Sequence, residues 1–227
     1  MVMATIKKEH QKHIFLEALL LATFIFLIGI LLGLMLESSR EKDISNLYLK
    51  SEINILDVQT QTKLLESENF NCEMAIRKNI EFGDRIYQNA KLLEKYEASN
   101  KLTDILREQQ RRYSMLRILF WVNNIKIKER CDNAPHTIVY LYSYTPKTLT
   151  EKNEQRFISE YLFGLKQEYG NSILLIPIAK DLKLNSLDLL TKDYNITDYG
   201  VILDEKKVIR DISGLQKIKK ILNNSKN

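Results

Sequence analysis

The most uninterrupted pattern in the chain is an apolar run, ALLLATFIFLIGILLGLML, which fills residues 18–36 without a charge. As an α-helix rising about 1.5 Å per residue it covers roughly 28 Å, close to the thickness of a hydrocarbon core. Thirteen of its positions are Leu, Ile or Phe, each favourable by roughly 0.3 to 0.6 kcal/mol in a spanning helix. A cleaved signal peptide is the competing reading. The run exceeds the usual core of about 7 to 15 residues, and the LMLESS that follows lacks a small-x-small cleavage pattern, so a retained anchor is expected. Within it Ala18, Ala22, Gly29 and Gly33 lie along one helical stripe with a GxxxG. Such a stripe lets two backbones approach, as in a homodimer, although Gly and Ala are also simply common in spanning helices.

After the anchor the apolar positions fall at helical spacing. Ile44, Leu47, Ser51, Ile55, Val58, Thr62 and Leu65 recur every three or four residues, the stripe of a helix that packs on another helix. Residues 66–71 break it with polar side chains, and Ile76, Ile80, Gly83, Tyr87, Ala90 and Leu93 begin a second series. A third runs from Leu102 to Phe120 beyond a second break at Ala98, Ser99 and Asn100. The pattern predicts a long stalk helix, a turn near Asn69–Cys72, and helices that return or continue as an antiparallel hairpin or coiled coil.

Past Pro135 the period changes. HTIVYLYSY from His136 reads as a strand buried on both faces. Thr148 and Glu151 form a capping box that opens a helix ending at Gly170. Residues 172–178 form a second strand, 186–194 a short helix and 200–203 a third strand. Asp204–Lys207 makes a hairpin turn into a fourth strand over 208–212, and Ser213 caps a last helix with Leu215, Ile218, Ile221 and Leu222 on one face. The segments expected are a short basic tail over 1–17, the transmembrane helix over 18–36, a helical stalk or hairpin over 37–134 and an α/β domain over 135–227.

Composition narrows the chemistry. The 227 residues include only 3 Pro and 7 Gly, which disfavours a many-stranded sandwich. Two cysteines, Cys72 and Cys131, and three histidines supply neither a disulfide-dense scaffold nor a Cys/His zinc site. Lys/Arg against Asp/Glu count 3 to 2 in residues 1–17, 4 to 7 in 37–71, 13 to 9 in 72–134 and 14 to 11 in 135–227. No block carries the strongly basic face of a nucleic-acid binder, and none is expected to bind nucleic acid. Arg107, Arg111, Arg112, Arg117, Lys126 and Lys128 do cluster with Tyr113, Phe120 and Trp121. The expectation for them is the solvated face of an amphipathic helix. Lys7, Lys8 and Lys12 before the anchor balance Arg40, Lys42 and Lys50 after it, and the acidic character of the following segment favours an N-terminus inside and the bulk outside the cytoplasm.

The order β-α-β-α-β-β-α resembles the thioredoxin fold. IVYLYSY, ILLIPIAKDL and YNITDYGVILDEKKVIRDISGLQKIKKIL together are similar to a membrane-anchored family of prokaryotic, archaeal-type thioredoxin-like proteins, with WVNNIKIKERC and FNCEMA extending the likeness upstream. It rests on element order and hydrophobic pattern over roughly the last 70 to 100 residues. The resemblance implies two thiols as CxxC at the start of the first helix and a cis-proline before the third strand. The chain departs from both: TPKTLTEKNEQ holds no cysteine, so Leu149 and Lys152 mark a degenerate redox site, and Tyr199 precedes Gly200 where the proline would stand. Without a thiol at a helix N-terminus and a second to resolve it, exchange there is not expected.

Cys72 and Cys131 lie 59 positions apart. If the helices fold back they meet as a disulfide, stabilising by roughly 4 kcal/mol through loop-closure entropy; two unrelated buried thiols are the alternative. The expected protein is a single-pass cell-membrane protein that presents a redox-inactive thioredoxin-like domain as a binding or scaffolding module. Its partners would be the lipid bilayer and a protein or peptide, and it would need no cofactor. The alternatives are a thiol-disulfide oxidoreductase using Cys72 and Cys131, or a coiled-coil membrane tether.

Overall fold

The structure is a computed structural model that describes residues 2–67, 70–97, 103–193, 195 and 200–224. Two compact units divide the chain, residues 1–49 and 50–227. The first is the larger part of helix α1 (Val2–Leu64). Within α1, Phe15–Ser39 is long and apolar enough to cross a bilayer and none of its most apolar window is covered by protein. A helix exposing Leu, Ile and Phe on every side is matched to lipid rather than to water. Ala18, Ala22, Gly29 and Gly33 are exposed within it.

The second unit is built on a four-stranded mixed sheet: β1 (His136–Tyr142), β2 (Ile173–Ala179), β3 (Gly200–Leu203) and β4 (Lys207–Ile209), in the order β2-β1-β3-β4. β1 and β2 run parallel, from His136 opposite Ile173 to Tyr142 opposite Ala179. The pairs β1–β3 and β3–β4 are antiparallel. Pro177 sits in β2, an edge strand, where its missing N–H breaks no ladder.

The near-continuous apolar runs of the strands serve two cores. Ile138 and Tyr140 of β1, Ile173 of β2, and Val201 and Leu203 of β3 pack with Ile158, Leu162 and Leu165 of α4 (Leu149–Tyr169) and Leu215, Ile218 and Leu222 of α6 (Leu215–Asn224). The alternate residues, Val139, Leu141, Leu174, Ile176, Ile178 and Ile202, face the other way. There they meet Leu116, Phe120 and Trp121 of α3 (Thr103–Arg130), Leu187 of α5 (Asn185–Asp193), Phe82 and Ile86 of α2 (Cys72–Glu97), and Val58 of α1. Alternation with a period of two is the strand geometry that allows one short run to fill both.

Helices after α1 return on one another. Asn71 caps α2 by accepting from the Met74 N–H at 2.9 Å. Asn79 Nδ2 donates to Asn124 Oδ1 at 2.8 Å, and a Cβ on Gly83 would lie 3.0 Å from Phe120 Cζ, so α2 and α3 run antiparallel at close approach. Thr62 Oγ1 bonds Asn123 Oδ1 and Lys126 pairs with Glu66, bringing the end of α1 alongside α3. The change of period at Pro135 therefore marks a change of element, while the hydrophobic core continues across it from α3 to the sheet. The second break expected at Ala98, Ser99 and Asn100 lies outside the described residues.

Local expectations hold with shifted ends. Glu151 N–H donates to Thr148 Oγ1 at 3.1 Å, although the Glu151 carboxylate takes the Lys147 N–H rather than that of Thr148. Ser213 is not the cap of the last helical segment. Asp211 Oδ1 accepts from the Gly214 N–H at 2.7 Å and from Ser213 Oγ at 2.6 Å, so Asp211 caps the short turn Ile212–Gly214 that contains Ser213 and leads into α6.

Candidate functional site

At the carboxyl end of β1 the chain turns through residues 143–148 into α4. Asp181, in the turn after β2, organises this loop: it accepts from the Tyr144 N–H at 2.6 Å, the Thr145 N–H at 2.8 Å and Thr145 Oγ1 at 2.7 Å. Burial raises its carboxyl, but these bonds outweigh it and hold the group below the usual carboxylate range. Glu151 is also held low, by hydrogen bonds from Ser143 and the Lys147 N–H. Leu149 and Lys152, in the first turn of α4, are exposed, whereas Gly200 is buried at the start of β3 and Tyr199 lies outside the described residues. The loop holds no sulfur, and its Tyr144, Thr145 and Lys147 N–H groups are engaged within the protein.

The basic stretch of α3 is only in part a solvated face: Arg107 is exposed, while the others are partly or wholly buried. Arg111 donates to the Leu182 carbonyl at 3.2 Å and pairs with Glu108, Arg112 pairs with Glu52, and Lys126 with Glu66. Lys128 lies 2.6 Å from Asp204 Oδ1 and 2.9 Å from Glu205 Oε2. Tyr113, Phe120 and Trp121 are buried. Arg111 meets a carboxylate on its own helix, whereas packing turns Arg112, Lys126 and Lys128 toward carboxylates far away in the sequence.

Asp204 and Glu205 occupy the β3–β4 turn with φ of 49° and 56°, the left-handed region that non-glycine residues seldom adopt. Their side chains explain why the turn tolerates it. Asp204 also accepts from the Thr137 N–H at 2.9 Å and lies 2.6 Å from His136 Nδ1, and Trp121 Nε1 donates to Glu205 at 3.1 Å. The two carboxylates of this turn belong to a half-buried ion network. Burial raises the Asp204 carboxyl, but the bonds from His136, Lys128 and Thr137 bring it down to about 2. A depressed carboxylate contributes stability that is complete above its unfolded value near 4 and is lost as pH falls through the folded value. Asp204 is thus expected to contribute about 2 kcal/mol that disappears between about pH 4 and pH 2. Urea midpoints measured across that window should fall less steeply for Asp204→Asn; parallel profiles would refute the assignment.

Cys72 and Cys131 come together at disulfide distance, their Cα atoms 5.6 Å apart. Cys72 opens α2 and is partly exposed; Cys131 follows α3 and is buried. Arg130 reinforces the junction by donating to the Leu65 and Ser67 carbonyls and covering the Phe70 ring. An open cleft of about 720 Å³ lies beside the pair, with Ile76 and Ile80 on one wall and Arg77, Glu81, Asp84 and Asp132 at its rim.

Sequence reasoning missed one group. Gln109 Oε1, Tyr113 OH, Ser114 Oγ and Arg117 Nε in α3 are buried without hydrogen-bond partners among the described residues. Polar residues at i, i+4 and i+8 hinted at a polar stripe, yet only packing buries it. Burial raises the Tyr113 phenol to about 12 despite the nearby Arg117 charge. Comparison of the chain with protein-family models, curated proteins and solved structures finds no match.

Proposed function

We propose that this is a single-pass membrane protein whose thioredoxin-like domain lies outside the cytoplasm and serves as a thiol-free binding module for a protein or peptide. A parallel β1–β2 pair bridged by α4, an antiparallel β3–β4 hairpin leading to α6, and helices on both faces support the thioredoxin-like reading. The carrying observation is the loop over 143–148. Where a thiol enzyme would place two cysteines at a helix start, Asp181 and Glu151 tie up the backbone donors around an exposed Leu149. That leaves a formed, sulfur-free edge at the carboxyl end of the strands, the end at which open α/β sheets receive ligands. The exposed apolar span supplies the anchor, and the acidic segment after it supports the outward orientation.

A photo-crosslinker at Leu149 is expected to trap one defined protein partner on cells, and the same group at Lys217 on α6 none. Equal trapping at both positions, or none at Leu149, would sink the reading. A second reading, thiol-disulfide exchange at Cys72 and Cys131, is favoured by one observation: Cys72 begins a helix, where the dipole favours a thiolate, beside an open cleft.

A further inference from the structure

Tyr113, Ser114 and Arg117 are 1%, 0% and 7% exposed, and among the described residues Tyr113 OH, Ser114 Oγ and Arg117 Nε have no hydrogen-bond partner. Tyr113 and Arg117 are four residues apart and Ser114 and Arg117 three, so all three lie over a single turn of α3. Arg111, Arg112, Lys126 and Lys128 each have a carboxylate in reach; among the described residues Arg117 has none.

All three groups can donate. The guanidinium cannot lose its proton, the serine hydroxyl rotates freely to suit an acceptor, and the buried phenol stays protonated. Water would satisfy the hydroxyls but leave the Arg117 charge, whose Nε is buried, without a counter-charge, which is costly. An anion answers both needs. A carboxylate fits best, because its two oxygens match the parallel donors along the Nε edge of a guanidinium and keep lone pairs for the hydroxyls.

Placement agrees. Asn124 meets Thr137 at the start of β1, and Arg111 meets Leu182 just past β2, so the first half of α3 lies at the carboxyl end of the sheet. The 181–182 turn that receives Arg111 also holds the loop at Tyr144 and Thr145.

We propose that Tyr113, Ser114 and Arg117 form a binding site for a carboxylate carried by the partner peptide, with Arg117, the most exposed of the three, as the point of first contact. The peptide as carrier rests on the binding-module reading; the carboxylate rests on the orphaned donors alone. The test is thermal unfolding of the full chain in detergent, titrated with sodium acetate and, separately, with sodium chloride at matched ionic strength. Acetate should raise the midpoint by several degrees beyond chloride, since a ligand of the folded state stabilises it. Arg117→Gln and Tyr113→Phe should each remove most of that difference, the second keeping the ring's packing should the first fail to fold. Equal midpoints in the two salts, or an undiminished acetate effect in Tyr113→Phe, would overturn the site. An acetate effect without trapping at Leu149 would refute the module reading and keep the site; the converse result would do the opposite.

Discussion

Trp121→Ala should destabilise the unit formed by residues 50–227 by about 3 to 5 kcal/mol, the cost of emptying a fully buried large aromatic site. Trp121 is 0% exposed and packs in the core shared by α3 and the sheet. Its Nε1 also donates to Glu205 across 84 positions of sequence, so truncation removes a partner from the half-buried turn as well as volume from the core. Trp121 is the only tryptophan in the chain. Urea unfolding is therefore best followed by circular dichroism, with Leu149→Ala as a control expected to change stability by about 0.5 kcal/mol or less. A loss of under about 1 kcal/mol for Trp121→Ala would mean that α3 is a separable helix rather than one layer of the domain.

Replacing Cys72 and Cys131 together by serine should cost roughly 4 kcal/mol, because a bond across 59 positions removes much of the unfolded chain's freedom. The same helix junction is held by Arg130 at Leu65 and by the Asn79–Asn124 bond, so the helices should stay folded while unfolding at lower urea. Alkylation of the native protein before and after reduction reads the pair directly. No label before reduction and two labels after it are expected for a domain outside the cytoplasm. Two labels on the untreated native protein would reverse the proposed orientation. Rapid reduction of the folded protein by dithiothreitol, with Cys72 trapped as a mixed disulfide in Cys131→Ser, would instead favour the exchange reading.

The readable parts of the fold are those whose signal is local. Each strand's apolar run and the Thr148–Glu151 cap stood in the sequence, and β3 begins and ends where its pattern does. Asp211 displaced Ser213 as a cap because two competent oxygens lie two residues apart and only the backbone path chooses between them. The pattern also allowed the helices after α1 to return or to continue, and close contact at Gly83 and Phe120 selects return.

For the site the division is sharper. The absence of thiols from residues 143–152 is plain in the sequence. That Asp181 ties the loop, that Lys128 reaches Asp204 and that Arg117 is buried with no carboxylate in reach among the described residues are not. A cation spaced along a helix looks the same whether it meets water or a carboxylate 76 residues later.

By itself, then, the sequence determined the apolar span, the alternation of strands and helices and the missing redox motif, all of which follow from residue type and from backbone periods of 3.6 and 2. Tertiary structure alone decided that α3 covers the sheet, that the two cysteines meet and which charges are paired. Those outcomes depend on how the chain returns across tens of residues, and the cost of burying an unpaired charge becomes visible only once its neighbours are in place.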